Sequence, residues 1–259
     1  MIRPIVAVIA VWVSAMGPQG DGAAEASVAA ALRTVQDPSA ALPDREGAVK
    51  ALARTRSGGL ALLRLEEDGR LPEELRATAR FALAACPDAD VRAAADRRLP
   101  VPKTKEGTPL PPIAALAALK GNAASGARVY RRAEGPNCIA CHPIGDEGRM
   151  VGPPLTTVGN KLSREQMFEA ILTPSAAILM GYENWAVRTT GGDIKTGIKV
   201  EETDDHITLK DAQGEFIDIP LDRIADRKML RLSMMPENLT QSMTLQELVD
   251  LVEYLTQQR

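Results

Sequence analysis

Five of the chain's 18 prolines fall between Pro100 and Pro112, in a stretch with little hydrophobic periodicity. Proline has no backbone N–H and a fixed φ, so neither a helix interior nor a central strand runs through such a segment. The chain therefore reads as two parts joined by a linker at residues 100–112, each burying its own apolar residues.

Upstream, residues 26–99 are helical in pattern throughout. Ala29, Leu32 and Val35 keep helical spacing until Pro38. Pro43-Asp44-Arg45 opens a second segment, Ser57-Gly58-Gly59 interrupts it, and Gly69 ends the leucine run that follows. Leu71-Pro72-Glu73-Glu74 places proline in a first turn, and Cys86-Pro87-Asp88 is the next turn. Short helices alternating with tight turns predict a HEAT-like array of helical hairpins. Aromatic residues make up 3% of the chain against 45% apolar residues overall. That balance suits small helices packed closely around a core with room for something large and flat.

Downstream, helix resumes near Ile113 and runs, with a break at Gly121, through Val129 and Tyr130. A Gly/Pro-rich loop spans Pro143 to Asn160. Ser163 with Gln166 forms a capping box for the next helix, which Thr173-Pro174-Ser175 stops. Four short alternating or β-branched runs follow, separated by Gly191-Gly192-Asp193, Thr203-Asp204-Asp205 and Ala212-Gln213-Gly214. They predict a small curled antiparallel insert at about residues 182–220. A second capping box, Thr244 with Glu247, opens a last helix with Leu245, Leu248, Val249, Val252 and Leu255 on its buried face. The expected fold class is mainly α, with a helical domain at residues 113–259 carrying the β insert.

The start of the chain reads as a targeting segment. Arg3 precedes an apolar run from Pro4 to Ala15, and Val13-Ser14-Ala15 supplies small residues for cleavage. Residues 1–25 are thus expected to be a signal peptide and an unstructured start. The run is well short of the roughly 20 residues a spanning helix needs, so no stable membrane span is expected after cleavage, and the protein is expected in the periplasm or otherwise exported. A formal charge of −3 and a pI near 5.6 give no phosphate-tracking surface and argue against nucleic acid as a partner.

The string that carries chemistry is Cys138-Ile139-Ala140-Cys141-His142. Two thiols separated by two residues reach both vinyl groups of a haem from one turn of chain, and the next residue falls beneath the iron as an imidazole ligand. A Cys-x-x-Cys redox pair needs a strand-to-helix setting, which the preceding helix does not provide. A zinc site would have to draw on Cys86 and His206, with His142 directly following Cys141 in awkward geometry. The spacing therefore predicts one covalent haem c per chain, bound by Cys138 and Cys141, with His142 on the iron.

Met235, followed by Pro236 and ahead of the last helix, is the expected sixth ligand, a soft neutral thioether. Met234 and His206 remain alternatives, and the other methionines read as packing. Pro153, in Gly152-Pro153-Pro154-Leu155, offers a carbonyl without a competing N–H, suited to accept the His142 Nδ1–H. Gly126 with Tyr130, and Leu251 with Tyr254, are placed for a close helix crossing. Arg223, Arg227, Lys228 and Arg231 form a basic stretch, read as a solvated face with a haem propionate as the other possible partner.

These residues together resemble class I cytochromes c. The similarity is closer to the haem-binding domain abundant in planctomycetes and related bacteria, which reads Asp-Pro-Ser-x-x-Ile, Gly-Tyr-Glu, a strand-rich insert, and Met-Pro-Glu-x-Leu. This chain has Thr173-Pro174-Ser175-Ala176-Ala177-Ile178, Gly181-Tyr182-Glu183 and Met235-Pro236-Glu237-Asn238-Leu239, within a match from about Gly121 to Leu255. The resemblance implies a cytochrome c-like helical haem domain, His142 and Met235 as axial ligands, and Pro153 as the backbone partner of His142. Members are often fused to a dehydrogenase-like propeller, which this chain lacks.

The expected function is single-electron transfer by an exported monohaem c-type cytochrome. It would serve a redox partner protein, a periplasmic dehydrogenase being one candidate, and act as a carrier more than as an enzyme. Two other classes stand beside it. One is a haem enzyme or gas sensor with an open distal site. The other is an interaction module in which the helical array and β insert dock a partner and the haem is structural.

Overall fold

The computed structural model describes residues 20–259. The signal-peptide reading falls on residues 1–19 and lies outside them. Among the described residues no helix is long and apolar enough to cross a membrane.

Five helices form the first part: α1 (Gly20–Gln36), α2 (Leu42–Leu52), α3 (Arg56–Glu67), α4 (Glu73–Ala84) and α5 (Ala89–Arg98). Helix α1 begins inside the stretch read as an unstructured start. Side-chain caps set two of the borders, since Thr55 accepts from Gly58 N–H and Asp88 from Val91 N–H; the break falls at residues 53–55, and Ser57-Gly58-Gly59, expected to interrupt the helix, form the first turn of α3. Val35, Val49, Leu62, Leu75, Leu83 and Val91 are buried together, so every helix contributes to one core. Buried Arg45 ties three of them: it donates twice to the Val35 carbonyl and pairs with Glu74 at 2.8 Å.

The proline-rich segment is folded onto the second part of the chain. Leu110 N–H donates to Pro102 O, Lys105 N–H to Met243 O, and Thr240 Oγ1 to Lys103 O. Leu110 is buried in the downstream core. That core gathers α6 (Ile113–Ala117), α7 (Ala123–Arg131), α8 (Arg164–Leu172) and α9 (Leu245–Thr256). Tyr130, Phe168, Leu116, Met167, Leu248 and Val252 fill it, and Phe81 of α4 packs against it from the array. Both capping boxes, at Ser163/Gln166 and Thr244/Glu247, are formed.

Between α8 and α9 lies a five-stranded antiparallel sheet: β1 (Asn184–Thr189), β2 (Ile194–Glu202), β3 (His206–Lys210), β4 (Phe216–Pro220) and β5 (Ile224–Met229), in the order β4-β3-β2-β1-β5. Val187, Ile207, Leu209 and Ile219 give it a core of its own.

The expectation of a mainly α, cytochrome c-like helical architecture is corrected here. Helix accounts for 45% and strand for 15% of the described residues, and the fold is mixed α and β. The sheet runs nine residues past the expected insert, because the stretch holding Arg227 and Lys228 is strand β5. That strand is paired through its backbone to β1 while five of its six residues are exposed. Ladder hydrogen bonds hold it without any alternation of apolar side chains, so its sequence reads as a basic surface.

Candidate functional site

Helix α7 and the loops after it build the turn at Cys138–His142. Asn137 adopts a left-handed conformation at φ 48°, which asparagine tolerates better than most residues. A single 3₁₀ turn, Cys138–Ala140, follows, with Cys141 and His142 N–H both returning to Cys138 O. Side chains three apart eclipse in a 3₁₀ turn, so Cys138 and Cys141 share one side of the chain. Arg149 N–H donates to Ile139 O, Val151 and Gly152 N–H to Cys141 O, and Tyr130 Oη to His142 O at 2.6 Å. The carbonyls of this turn are thus engaged, and it has little freedom to rearrange.

His142 Nδ1 lies 2.8 Å from Pro153 O. A carbonyl only accepts, so Nδ1 carries the proton and Nε2 keeps its lone pair. The ring lies flat against Gly152, where a Cβ would come within 2.5 Å of His142 Cε1. Burial lowers the His142 imidazole, more strongly than the Pro153 hydrogen bond raises it, which favours the neutral form a metal ligand must have.

Cys86, Cys138 and Cys141 carry free thiols. Burial pushes Cys138 up to about 11 and raises Cys141 as well. A reactive Cys-x-x-Cys pair needs a depressed thiol, the opposite of what is found. Among the described residues no three His, Cys, Asp or Glu side chains come together to hold a metal ion. Zinc, which takes four protein ligands, is poorly served. A haem brings four ring nitrogens of its own and asks the protein for axial donors and two thiols, a set these residues fit.

Helices α7 and α9 cross closely beside this turn. A Cβ on Gly126 would overlap the backbone of Asp250 and lie 2.7 Å from Tyr254 Cβ, and the rings of Tyr130 and Tyr254 sit 5.7 Å apart. Glycine here permits the approach, and the two rings fill the space beside it. Leu251 is buried in the downstream core.

Met235 packs against the same downstream core as Cys138, Ile139 and Leu155. Met234, its neighbour, lines an open cleft of about 470 Å³ beside the sheet with Asn184, Lys195 and Gln213. The two methionines therefore border different surroundings. His206 stands apart at the start of β3, bonded to Thr203 and Asp205, and Asp205 raises its imidazole.

The sheet reaches both candidate ligands. Its β3–β4 turn docks on the loop before Gly152, with Arg149 donating to Gln213 O at 2.7 Å and Lys210 to Met150 O at 2.9 Å. Its last strand leads directly into the segment that carries Met235. Sequence reasoning missed this bracketing, because both contacts run between residues about 60 positions apart. It also missed Ser175 and Ser233, which bond to each other beside Met235.

No protein-family model and no curated protein matches this chain.

Proposed function

We propose that this chain is an exported monohaem c-type cytochrome that passes electrons one at a time to and from a partner protein, a periplasmic dehydrogenase being one candidate source. The observation that supports it most is the pairing of His142 Nδ1–H with Pro153 O over Gly152. It presents a neutral imidazole, in the tautomer with a free Nε2, directly beside two thiols on one side of a tight turn. A haem held there supplies a one-electron iron couple.

Cys138 and Cys141, both thiols raised by burial, would hold the haem covalently through their sulfurs. Tyr130 and the 149–152 backbone hold the turn that carries both cysteines and His142. Met235 is the donor assigned to the sixth position, because it shares the core that Cys138 borders, whereas Met234 faces the sheet cleft. With His142 and Met235 both holding the iron, bond-making chemistry would have no free coordination site, which favours a carrier over an enzyme.

An optical redox titration of protein produced with haem-attachment machinery tests this reading. A single transition fitting one electron per chain is expected. Its absence, or rapid stoichiometric carbon monoxide binding to fresh reduced protein, would count against a carrier.

A further inference from the structure

Ser175 follows α8 and is 9% exposed. Its Oγ accepts the Ser233 N–H at 3.2 Å and donates to Glu237 Oε1 at 3.2 Å, so one hydroxyl holds the chain on both sides of Met235. Ser233 Oγ then accepts the Met235 N–H at 3.1 Å. A hydroxyl has one proton and two lone pairs to give, and Ser175 commits its proton and an acceptor position to this one segment.

Few other hydrogen bonds order the segment. After β5 ends, Leu230 N–H donates to Asn184 O, and regular structure resumes at Leu239. Leu232 is 62% exposed, so apolar burial contributes little there. Yet two adjacent methionines have different surroundings, Met234 toward the sheet cleft and Met235 toward the downstream core. A slip of one residue would bring Met234 to the place of Met235, and the hydrogen bonds through Ser175 and Ser233 fix the register.

We propose that Ser175 is a positioning residue that selects Met235, in preference to Met234, as the sixth ligand. This rests on the reading that a haem is bound at His142 with Met235 opposite.

The test uses the full chain, made with haem-attachment machinery, as the parent, Ser175→Ala and Ser175→Thr. The readouts are intact mass, the weak sulfur-to-iron charge-transfer band of the oxidised protein, and the rate of carbon monoxide binding to the reduced protein. Ser175→Ala is expected to keep its covalent haem, to lose much of the band, and to bind carbon monoxide about fivefold to tenfold faster, the net effect of losing two long hydrogen bonds of modest strength. Ser175→Thr, which keeps the hydroxyl, is expected to restore both. Should Ser175→Ala fail to fold, Ser233→Ala removes only the acceptor of the Met235 N–H and is expected to move the same two readouts in the same direction. A haem-loaded alanine variant with the parent's band and binding rate overturns the proposal and leaves the haem reading standing. A parent without covalent haem overturns the haem reading itself.

Discussion

Replacing Gly152 by alanine places a methyl group where the His142 ring lies. The added Cβ would sit 2.5 Å from Cε1, 2.9 Å from Nδ1 and 3.0 Å from Nε2. Unstrained carbon contacts are about 3.5–4.0 Å, so the ring must retreat by roughly 1 Å. That retreat strains the 2.8 Å hydrogen bond to Pro153 O, which comes from the residue next to Gly152. Overpacking a filled site costs about 1–3 kcal/mol, and a buried polar group stripped of its partner costs a similar amount. With some relaxation the sum is about 3 kcal/mol, a fall in melting temperature of roughly 6–12 °C. Thermal unfolding followed by circular dichroism measures this, and Gly47→Ala is the control. Gly47 lies on the exposed face of α2, with nothing within 4 Å of an added Cβ, so alanine there should stabilise by about 0.5–1 kcal/mol. If Gly152→Ala melts within about 1 °C of the parent, the ring is not seated as described.

Other outcomes follow from the same geometry. Tyr130→Phe leaves the half-buried His142 carbonyl without its donor and should cost about 1 kcal/mol in urea unfolding; burial pushes the Tyr130 hydroxyl up to about 12, so a spectroscopic titration should find it protonated until strongly alkaline pH. Glu247 is opposed by burial, but hydrogen bonds from Arg132 and the Thr244 N–H, with the charges of Arg132 and Lys105, outweigh it and bring the carboxyl down to about 2. A folded value below the unfolded one, about 4.3, adds stability that is complete above that pH and is lost as pH falls toward 2. Glu247→Gln should therefore destabilise by about 1–2 kcal/mol at pH 7 and much less near pH 2, a difference read from unfolding curves at the two values. Met235→Leu should abolish the sulfur-to-iron charge-transfer band and lower the potential, whereas Met234→Leu should leave both unchanged; the reverse pattern reassigns the ligand.

Features with a local cause were legible in the sequence. Both capping boxes place a hydroxyl and a Gln or Glu three residues apart, and both are formed. The Gly191-Gly192-Asp193 and Thr203-Asp204-Asp205 stretches separate β1, β2 and β3, since a turn needs only its own residues. The Pro153 carbonyl lies eleven residues from His142, near enough for the rigid loop between them to be read as one unit.

What escaped has distant causes. Strand β5 is held by the backbone of β1, some 40 residues earlier, and its charged side chains give no alternation. The proline-rich stretch reads as a linker because its residues lack periodicity, yet it is anchored by Met243 and Thr240 from the far end of the chain. Ser175 looks like a helix stop until Ser233 and Glu237 are brought to it. The fold class failed for the same reason, since a sheet whose outer strand reads as polar surface was counted too small.

The most direct measurement is the mass of the mature polypeptide, taken after denaturation and removal of all loosely bound material. The account predicts one haem above the weight of the amino acids, with the colour retained, and loss of both when Cys138 and Cys141 are replaced by alanine. A colourless chain weighing no more than its residues would contradict it.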